Sequence, residues 1–600
     1  MLKHLLLFFI VSFYISSCFY EQIDDFSLRE GHRLIIDTAL SEIGNGEVIA
    51  SKKNQEYAFF ISKKPTHLHG VIHSNSVFFS KKVFNLFPIT SKEEKKKFQD
   101  QKKFQKLLAK NGLIGLKSRL IFVHGKGEAQ EMFFQEGFDK RIAEANENRD
   151  GSIYSFSDKL NCKYSSGSEK TTFLRSNIDQ FLDDKLNVSE IFDIYKTLKL
   201  FAIIEAESQN EMYNHISFYF NPVSQLLEPF VSLEINNCKS KIISKILKDS
   251  IFKKILLDLI QSYKNGNNIS HSQMKSLLIS NSYPFGERIG EEYKKYFTVK
   301  DDIISPKSEK LVISEIIKIP PGYKVIIPPK SIFEIINSGA LISYSPIECL
   351  GIKGEEIQFL SPDKTSMGLH IINAISPSII NYTIFDGFSR LRSENWNLLG
   401  SITFYESPVN FSYAIFKNNL SEDALNIFRS NFSINRCVFE NTFSDALDVD
   451  FSAGQVLESS FNDIGNDAID VSGSKIEIHH CLLENIEDKG LSGGEKSIIK
   501  AENITFRNVE IAITSKDESK VEVNSSYFEN INLVYCAFEK KKEFGPSIIL
   551  AENNTFSGIN QKYLVERKSR LIENNVELNA FSENVKKMLY GKQFGKKTIN

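Results

Sequence analysis

The clearest pattern in the chain is a recurrence of large apolar residues in its second half. Steps of 22 or 23 residues separate Phe416, Phe439, Phe461, Leu483, Phe506 and Phe528. Two positions after each comes a short amide or acid, in the series Asn418, Asn441, Asp463, Asn485, Asn508 and Asn530. Short segments of alternating apolar residues follow, which predicts strands and not helices. Because one such unit cannot bury its own apolar side chains, the repeats are expected to stack into a continuous core.

This repeat resembles a right-handed parallel β-helix, to which we assign residues 301–578. In that fold each repeat position lies above its predecessor at a spacing of about 4.8 Å. The large apolar residues are then predicted to point inward, and the Asn column to form a structural hydrogen-bonded ladder. Small residues two positions earlier, among them Cys437 and Cys481, are predicted to be buried. These two thiols are two coils apart, about 9.6 Å, so no disulfide is expected between them.

Acidic side chains in two columns are the strongest candidates for chemistry. The first column, at steps of 22 residues, contains Asp423, Asp445, Asp467 and Lys489. The second column, by the same step, contains Asn426, Asp448, Asp470 and Ser492. Asp450 shares a strand face with Asp448. Carboxylates stacked about 4.8 Å apart repel by roughly 3.5 kcal/mol at an effective dielectric constant of 20. They therefore require a wet face, a protonated acid or a bound cation.

Three interpretations of these columns are open from the sequence, and a solvated face of turn-favouring Asp residues is the one it favours. The second is a glycan site or a Ca²⁺ site, the ion being held by Asp448, Asp450 and Asp470. The third rests on analogy with β-helix polysaccharide lyases and hydrolases. It assigns catalysis to Asp445, Asp448, Asp467, Asp470 and Lys489.

Four segments within residues 55–300 are similar, in order, to the CotH (spore-coat protein H) kinase-like family. They are an amphipathic helix stopped by Asn111-Gly112, the phrase FQEGFDK at 134–140 with a later RDG turn, the phrase NHISFYFNP at 214–222 with LEP after it, and a helical segment at 242–262. The resemblance implies an α/β domain over residues 55–300. The positions that match the family's motifs are Glu136, Lys140, Asn214, His215, Asn221, Glu228 and Glu234.

The chain departs from this family where the chemistry matters. Active members hold the nucleotide's metal with two aspartates that follow the Phe-Tyr strand and a proline. The corresponding stretch, residues 228–234, reads EPFVSLE, and Glu234 is its only acid after the proline. Phosphoryl transfer needs that metal. We therefore predict a degenerate, non-catalytic domain, and an active atypical kinase is the alternative.

The first residues resemble a bacterial lipoprotein signal. Lys3 and His4 precede an apolar run, residues 5–13, which is too short to span a bilayer, and Ile-Ser-Ser-Cys follows at 15–18. The resemblance implies a signal peptide at 1–17, lipidation of Cys18, and export to the outer membrane or cell surface. Residues 18–54 would be a tether. An ordinary secretory signal is the alternative.

Composition narrows the classes of function. The 73 basic and 75 acidic residues nearly balance, which excludes a protein built for nucleic acid, and seven cysteines in 600 residues exclude a disulfide scaffold. A mean hydropathy of −0.22 excludes a polytopic membrane protein. His67, His69 and His73 would share one strand face and could bind zinc, but we expect them to be exposed and metal-free.

The function predicted from the sequence is that of a lipid-anchored envelope protein. Its β-helix would present a surface to carbohydrate or to another envelope protein, with no nucleic-acid partner. Three alternatives are open: a polysaccharide lyase or hydrolase that uses the acidic columns, an active kinase, and a structural spacer. Residues 579–600 are assigned to a C-terminal tail.

Overall fold

The computed structural model describes most of the chain. The described residues are 33–36, 46–52, 55–64, 67–71, 83–125, 128–156, 160–166, 171–234, 240–265, 274, 277–278, 291–374, 376–393, 396–541, 544–578 and 582–590. The signal-like segment with Cys18, most of the tether, His73 and the last ten residues lie outside them. Two compact units divide the chain, the first ending at Ile142 and including Ser232–Glu234, and the second containing the rest. The domain ranges predicted from the sequence, 55–300 and 301–578, come from a family resemblance and from the repeat. The two units are defined by the contacts within each, so their boundaries differ from the predicted ones.

The first unit contains a seven-stranded sheet that closes on itself. Its strands are Arg33–Ile36, Gly46–Lys52, Gln55–Lys63, Leu68–Val71, Val83–Pro88, Ser118–Gly125 and Glu128–Glu136. The predicted amphipathic helix spans Lys92–Lys110. It begins where the Ser91 hydroxyl accepts a hydrogen bond from the Glu94 N–H at 3.1 Å. It stops at Asn111, and Gly112 follows with a φ of 72°, as the Asn-Gly pair predicts.

The second unit starts with a mixed region. A four-stranded sheet has the order Leu227–Val231, Ile216–Phe220, Ile153–Phe156 and Leu160–Tyr164. The chain enters this region through the helix Lys140–Ala145, which begins in the first unit. The other helices of the mixed region are Thr171–Leu182, Val188–Ile191, Ile194–Ala206, Lys241–Ile246 and Ser250–Lys264, with the 3₁₀ helices Asn210–His215 and Glu292–Lys295. The helical segment predicted at 242–262 is therefore two helices. The break arises because the Asp249 side chain caps the second helix, accepting hydrogen bonds from the Ile251 and Phe252 N–H groups.

The remainder is a right-handed parallel β-helix of about twelve turns, as the repeat predicts. Its first sheet has fourteen strands, of which the first and last are antiparallel, leaving twelve in the parallel ladder. These strands are Phe297–Lys300, Ile303–Pro306, Lys324–Ile327, Ile347–Leu350, Ser378–Asn381, Val409–Ser412, Asn431–Asn435, Ala453–Leu457, Lys475–His479, Ile498–Glu502, Lys520–Asn524, Ile548–Glu552, Arg570–Glu573 and Val576–Glu577.

Two further ladders complete each coil and merge in its later turns. The second ladder contains Lys310–Ile313, Ile332–Ile335, Ile357–Leu360, Thr383–Asp386, Ile415–Lys417, Val438–Thr442 and Ser460–Ile464. The third ladder contains Ile316–Ile319, Ala340–Ser343, Leu369–Ile372, Gly400–Tyr405, Asp423–Phe428, Asp445–Asp450 and Ile469–Ser472. Both continue through the long strands Leu482–Gly494, Thr505–Lys516, Tyr527–Phe538 and Thr555–Val565. A last helix, Val585–Leu589, follows the coils.

The repeat positions occupy the places that the period predicts. Phe439 and Phe461 are fully buried on adjacent coils, with ring centroids 4.6 Å apart. The Asn column lies in the left-handed region of φ, which Asn tolerates well. Its side chains bond along the column, for example from Asn441 Nδ2 to Asn418 Oδ1 at 2.7 Å. Cys437 and Cys481 are buried free thiols. The structure thus confirms that the large apolar residues point inward, that the Asn column forms a ladder, and that the two cysteines are buried and not joined in a disulfide.

Among the described helices, none combines the length and the apolar character needed to cross a membrane.

Candidate functional site

The second acidic column lies on the outward side of the third ladder, and the first column lies at or just before the start of the same strands. Asp448 pairs with Asn426 on the coil before it and with Asp470 on the coil after it. Leu447 and Val449 are the neighbours of Asp448 along its own strand, and their side chains are buried in the core of the β-helix. Since side chains alternate along a strand, Asp448 points away from that core. The predicted columns and their spacing are confirmed.

The predicted wet face is wrong for the first column. Asp423, Asp445 and Asp467 are only 2%, 9% and 3% exposed. In the second column the carboxyl groups are more accessible, the side chain of Asp470 being 25% exposed and that of Asp448 15%. The acids are therefore recessed and only partly open to solvent.

Two apolar clusters enclose this part of the ladder. On the earlier coils Val223, from the mixed region, packs with Trp396, Tyr405 and Phe428. On the later coils the helix Val585–Leu589 packs with buried residues that include Ile511, Leu533, Cys536 and Phe538. The acids lie on the coils between these two clusters. Contacts far apart in sequence thus explain why the face is recessed.

Arg149 supplies one of the cations between the acids. Its Nη2 lies 2.9 Å from Asp450 Oδ2 and 3.9 Å from Asp448 Oδ2. The same nitrogen donates a hydrogen bond to Asn426 Oδ1 at 3.1 Å. The guanidinium also lies over the Phe428 ring, 4.9 Å from its centroid. Arg149 is thus held by two carboxylates, an amide and an aromatic face.

Two lysines supply the other cations. Lys489 Nζ lies 3.2 Å from Asp467 Oδ1 and 2.6 Å from Asp488 Oδ2. Lys516 Nζ lies 3.4 Å from Asp470 Oδ1 and donates a hydrogen bond to Ser492 Oγ at 2.9 Å. We call the set formed by these side chains the charged strip, and its members are Asp423, Asp445, Asp448, Asp450, Asp467, Asp470, Arg149, Lys489 and Lys516.

Hydrogen bonds from neutral groups orient the carboxylates further. Asp445 Oδ1 accepts bonds from Asn466 Nδ2 at 2.6 Å and from the Asp467 N–H at 2.9 Å. Asp448 Oδ2 accepts a bond from Asn426 Nδ2 at 2.8 Å. Each bond links one coil to the next, so the acids are positioned before any ligand arrives.

The environment moves the pKa values of these acids in different directions. Burial raises the pKa of Asp423 to about 8, although Arg149 opposes the shift. Burial, with Asp450 and Asp423 nearby, raises the pKa of Asp448 well above its ordinary value. Burial alone would also raise the pKa of Asp470, but Lys516 and Lys489 hold it below its ordinary value. The pKa values of two acids on adjacent coils, Asp448 and Asp470, are therefore driven in opposite directions.

These opposite shifts predict opposite pH dependences of stability. The folded state favours protonated Asp423, so its stabilisation is complete below about pH 3.9 and is lost as pH rises toward 8. We expect Asp423→Asn to gain stability relative to the wild type over that range, by more than about 1.4 kcal/mol, the equivalent of one pKa unit. Asp470→Asn should lose stability at pH 7 and approach the wild type as pH falls toward 3. Urea unfolding from pH 3 to 8 measures both; curves parallel to that of the wild type would contradict the assignment.

Within the ranges that the structure describes, no group of three or more His, Cys, Asp or Glu side chains is arranged to hold a metal ion. At Asp448, Asp450 and Asp470, where the sequence suggested Ca²⁺, the neighbouring positive charges are those of Arg149 and Lys516.

The histidines of the first unit are less exposed than predicted. His67 is 7% exposed, so the expectation that it faces solvent is wrong. Burial, with His69 nearby, lowers its pKa to about 4, which keeps the ring neutral at physiological pH. His69 Nδ1 lies 2.8 Å from Asn85 Oδ1, and Asn85 Nδ2 donates to Glu234 Oε2 at 2.9 Å.

The residues matched to the kinase-like motifs fall in both compact units. Glu136, Lys140 and Glu234 belong to the first, and Glu136 Oε1 accepts a hydrogen bond from the Lys117 N–H at 2.6 Å. Asn214 and His215, in the second, end the 3₁₀ helix Asn210–His215.

Two motif residues of the second unit, Asn221 and Glu228, come together there. Asn221 Nδ2 donates to Glu228 Oε1 at 2.6 Å and to the Tyr405 hydroxyl at 2.8 Å. Lys196 Nζ lies 2.8 Å from Glu228 Oε1 and 3.2 Å from Glu406 Oε1. These contacts join the mixed region to the β-helix.

Two cations of the charged strip, Lys516 and Arg149, were not predicted from the sequence. Lys516 lies three steps of 22 residues after Asp450, through Ser472 and Gly494, so the period could have found it. Arg149 is 301 residues from Asp450, outside the repeat, and no periodic signal connects them.

Comparisons with known proteins add little to this geometry. No protein-family model and no curated protein matches the chain. Among solved structures, the tailspike gp42 of Acinetobacter phage vb_AbaP_AS12 is similar at 8% identity and a TM-score of 0.30, over 48% of this chain and 65% of the other. The catalytic domain of a GH87 α-1,3-glucanase, solved with nigerose, is similar at 12% identity and a TM-score of 0.24, over 42% and 63%. The chain thus spans slightly less than two thirds of each.

Proposed function

We propose that this protein binds carbohydrate at the charged strip. The observation that supports the proposal is the recessed, partly exposed pair Asp448 and Asp470 on adjacent coils, with Arg149 from the mixed region beside Asp448. Sugar hydroxyls both donate and accept hydrogen bonds, and oriented carboxylates and cations satisfy both roles. Because hydrogen bonds between coils already hold these groups, little ordering cost remains for a ligand.

The setting proposed for this activity is the bacterial envelope. It is supported by the lipobox-like Ile-Ser-Ser-Cys at 15–18, which would anchor the mature chain through Cys18. An anchored β-helix would meet envelope or environmental polysaccharides directly.

A second candidate is hydrolysis of the bound polysaccharide. It is favoured by the opposite pKa shifts of Asp448 and Asp470 on adjacent coils. Two carboxyl groups whose pKa values are driven apart suit the roles of acid and nucleophile in a glycosidase. Asp448 and Asp470 are register partners on adjacent strands, and such close neighbours suit the closely spaced acids of retaining enzymes better than the wider inverting arrangement. Asp448 would protonate the leaving group, and Asp470 would attack.

One experiment tests both candidates. The full chain is titrated with cellohexaose, chitohexaose and hexagalacturonate, and the release of reducing ends is followed in parallel. Asp470→Asn should raise the Kd at least tenfold, since it removes the ionised acceptor of the strip. Glu477→Gln is the matched control, because Glu477 is an exposed acid on the next strand of the same coil, in the first ladder and away from the strip. Unchanged binding by Asp470→Asn, or no binding by the wild type, would contradict the proposal.

The hydrolase candidate predicts an additional result. Asp448→Asn should still bind, because the amide keeps the shape of the side chain, but should lose at least about 100-fold in rate through the loss of acid catalysis. Binding without any release of reducing ends by the wild type would eliminate hydrolysis and leave the binding proposal in place.

We also propose that the CotH-like segments take no part in phosphoryl transfer. The sequence supports this, since Glu234 is the only acid in residues 230–234. The contacts of Glu228 support it too, because Lys196 and Asn221 engage this carboxylate at the junction with the β-helix.

A further inference from the structure

A groove lies beside the charged strip, on the turn between the second and third ladders. Its volume is about 550 Å³, and its lining includes Pro362, Lys364, Asp386, Asn418, Leu420 and Phe443. These residues come from four successive coils, because Leu360 pairs with Asp386, Asp386 with Lys417 and Lys417 with Glu440. At a coil step of about 4.8 Å the groove extends about 14 Å along the axis of the β-helix.

Apolar and polar groups alternate along this groove. Phe443, on the fourth coil, is 56% exposed, and Leu420, on the third, is 42% exposed. Between them and Pro362 lie the amides and carboxyl group of Asn418, Asn419 and Asp386. A pyranose ring has the same mixed character, with an apolar face of C–H groups and a rim of hydroxyls. A large aromatic side chain left this exposed, next to hydrogen-bonding groups, is typical of a binding surface.

The polar lining contains an unsatisfied group. Asn419 is only 4% exposed, and its Nδ2 donates hydrogen bonds to the backbone and side-chain oxygens of Ser421. Within the described part of the chain, nothing donates to its Oδ1. This oxygen has almost no accessible surface, so its missing bond is a cost of the fold beneath the groove and not a contact for a ligand.

The Asn column is also interrupted here. Asn441 donates to Asn418, which donates to Asp386. The next member is Asp463, whose two carboxylate oxygens accept from Asn485 and Asn462. Because both oxygens of Asp463 accept, the chain of donors does not continue from Asp463 to Asn441, whose amide is exposed at the groove.

The groove is formed before any ligand binds. In the loop that carries Pro362 and Lys364, Asp363 Oδ2 accepts a hydrogen bond from the Asn337 N–H at 2.8 Å, and Ser361 Oγ accepts one from the Ser366 N–H at 3.0 Å. The Leu420 N–H donates to the Phe388 carbonyl at 2.7 Å. A preformed wall reduces the entropy lost on binding.

We infer that this groove is a second carbohydrate site, in which a pyranose ring of an oligosaccharide stacks on Phe443 while its hydroxyls bond to Asn441 and Lys364. The inference rests on the proposed function for the class of ligand, but it uses residues outside the charged strip. A glycan that occupied both sites would run over the edge between the second and third ladders.

The test is the binding of cellohexaose, chitohexaose and hexagalacturonate, by calorimetry, to the full chain and its variants. Phe443→Ala should raise the Kd at least tenfold, and Phe443→Trp should restore binding, because a larger ring keeps the stacking surface. Tyr527→Ala is the matched control, since Tyr527 is 38% exposed and its strand lies four coils further along. That variant should bind like the wild type.

The outcomes separate the groove from the strip. If Asp470→Asn weakens binding and Phe443→Ala does not, the groove is not a site and the proposed function stands. If Phe443→Ala and Tyr527→Ala weaken binding equally, the effect is not specific to the groove and the inference is wrong. If the wild type binds none of the three oligosaccharides, both the inference and the proposed function are overturned.

Discussion

Replacing Phe461 by Ala is expected to lower the free energy of unfolding of the β-helix by about 3–5 kcal/mol. Phe461 is completely buried, its ring stacks on Phe439 at 4.6 Å with an interplanar angle of 4°, and Leu483 pairs with it on the next coil. The substitution removes apolar surface from both neighbours and leaves a cavity that the rigid stack cannot close. Since the stability of a solenoid is approximately a sum over neighbouring coils, the loss falls on two of these interfaces.

Urea unfolding followed by far-UV circular dichroism measures this loss. Phe443→Ala is the matched control, since it is the same change at an exposed position one coil earlier, and it should stay within about 0.5 kcal/mol of the wild type. A cost below about 1 kcal/mol for Phe461→Ala would mean that the side chain faces solvent and that the assignment of inward positions is wrong.

Lys196→Met is expected to destabilise the second unit by about 3–5 kcal/mol, the usual cost of removing one partner from a buried ion pair. Lys196 Nζ contacts Glu228 and Glu406, and the side chain of Glu228 is 3% exposed. Burial alone would lower the pKa of Lys196, but Glu228 and Glu406 hold it above its ordinary value. Without this cation, two acids at the junction of the mixed region and the β-helix lose their shared counter-charge.

A double substitution distinguishes lost charge balance from lost packing. Lys196→Met with Glu228→Gln removes both charges, so it should recover much of the stability that the single change loses. Lys248→Met, at an exposed lysine, is the control and should have little effect. Additive effects of the two substitutions at Lys196 and Glu228 would show that the pair is not coupled.

The repeat positions of the β-helix could be predicted because they depend on local spacing. When every coil has nearly the same length, a step of 22 or 23 residues returns the chain to the same place on the next coil. The inward position of Phe461, the pairing of Asp448 with Asp470 and the side-chain bonds between Asn441 and Asn418 all follow from that step. The position of Lys516 follows from the same step, so it too could have been predicted from the sequence.

The environment of the charged strip could not be predicted in that way. Whether an outward position is wet depends on what covers it, and here residues from the mixed region and from the last helix enclose the ladder. Arg149, which neutralises Asp450, comes from a segment with no repeat. The same reason explains His67, whose burial depends on its neighbours in the first unit, Phe87 among them.

The sequence by itself therefore determined the coil, its core and the columns of side chains, because a solenoid converts sequence separation directly into position along one axis. Only the tertiary structure decided which columns are recessed, which carboxyl groups have raised or lowered pKa values and where a groove opens. Those properties depend on burial and on nearby charges contributed by segments hundreds of residues away, such as Arg149 against Asp450. The candidate chemistry arises where the periodic scaffold meets these non-periodic segments.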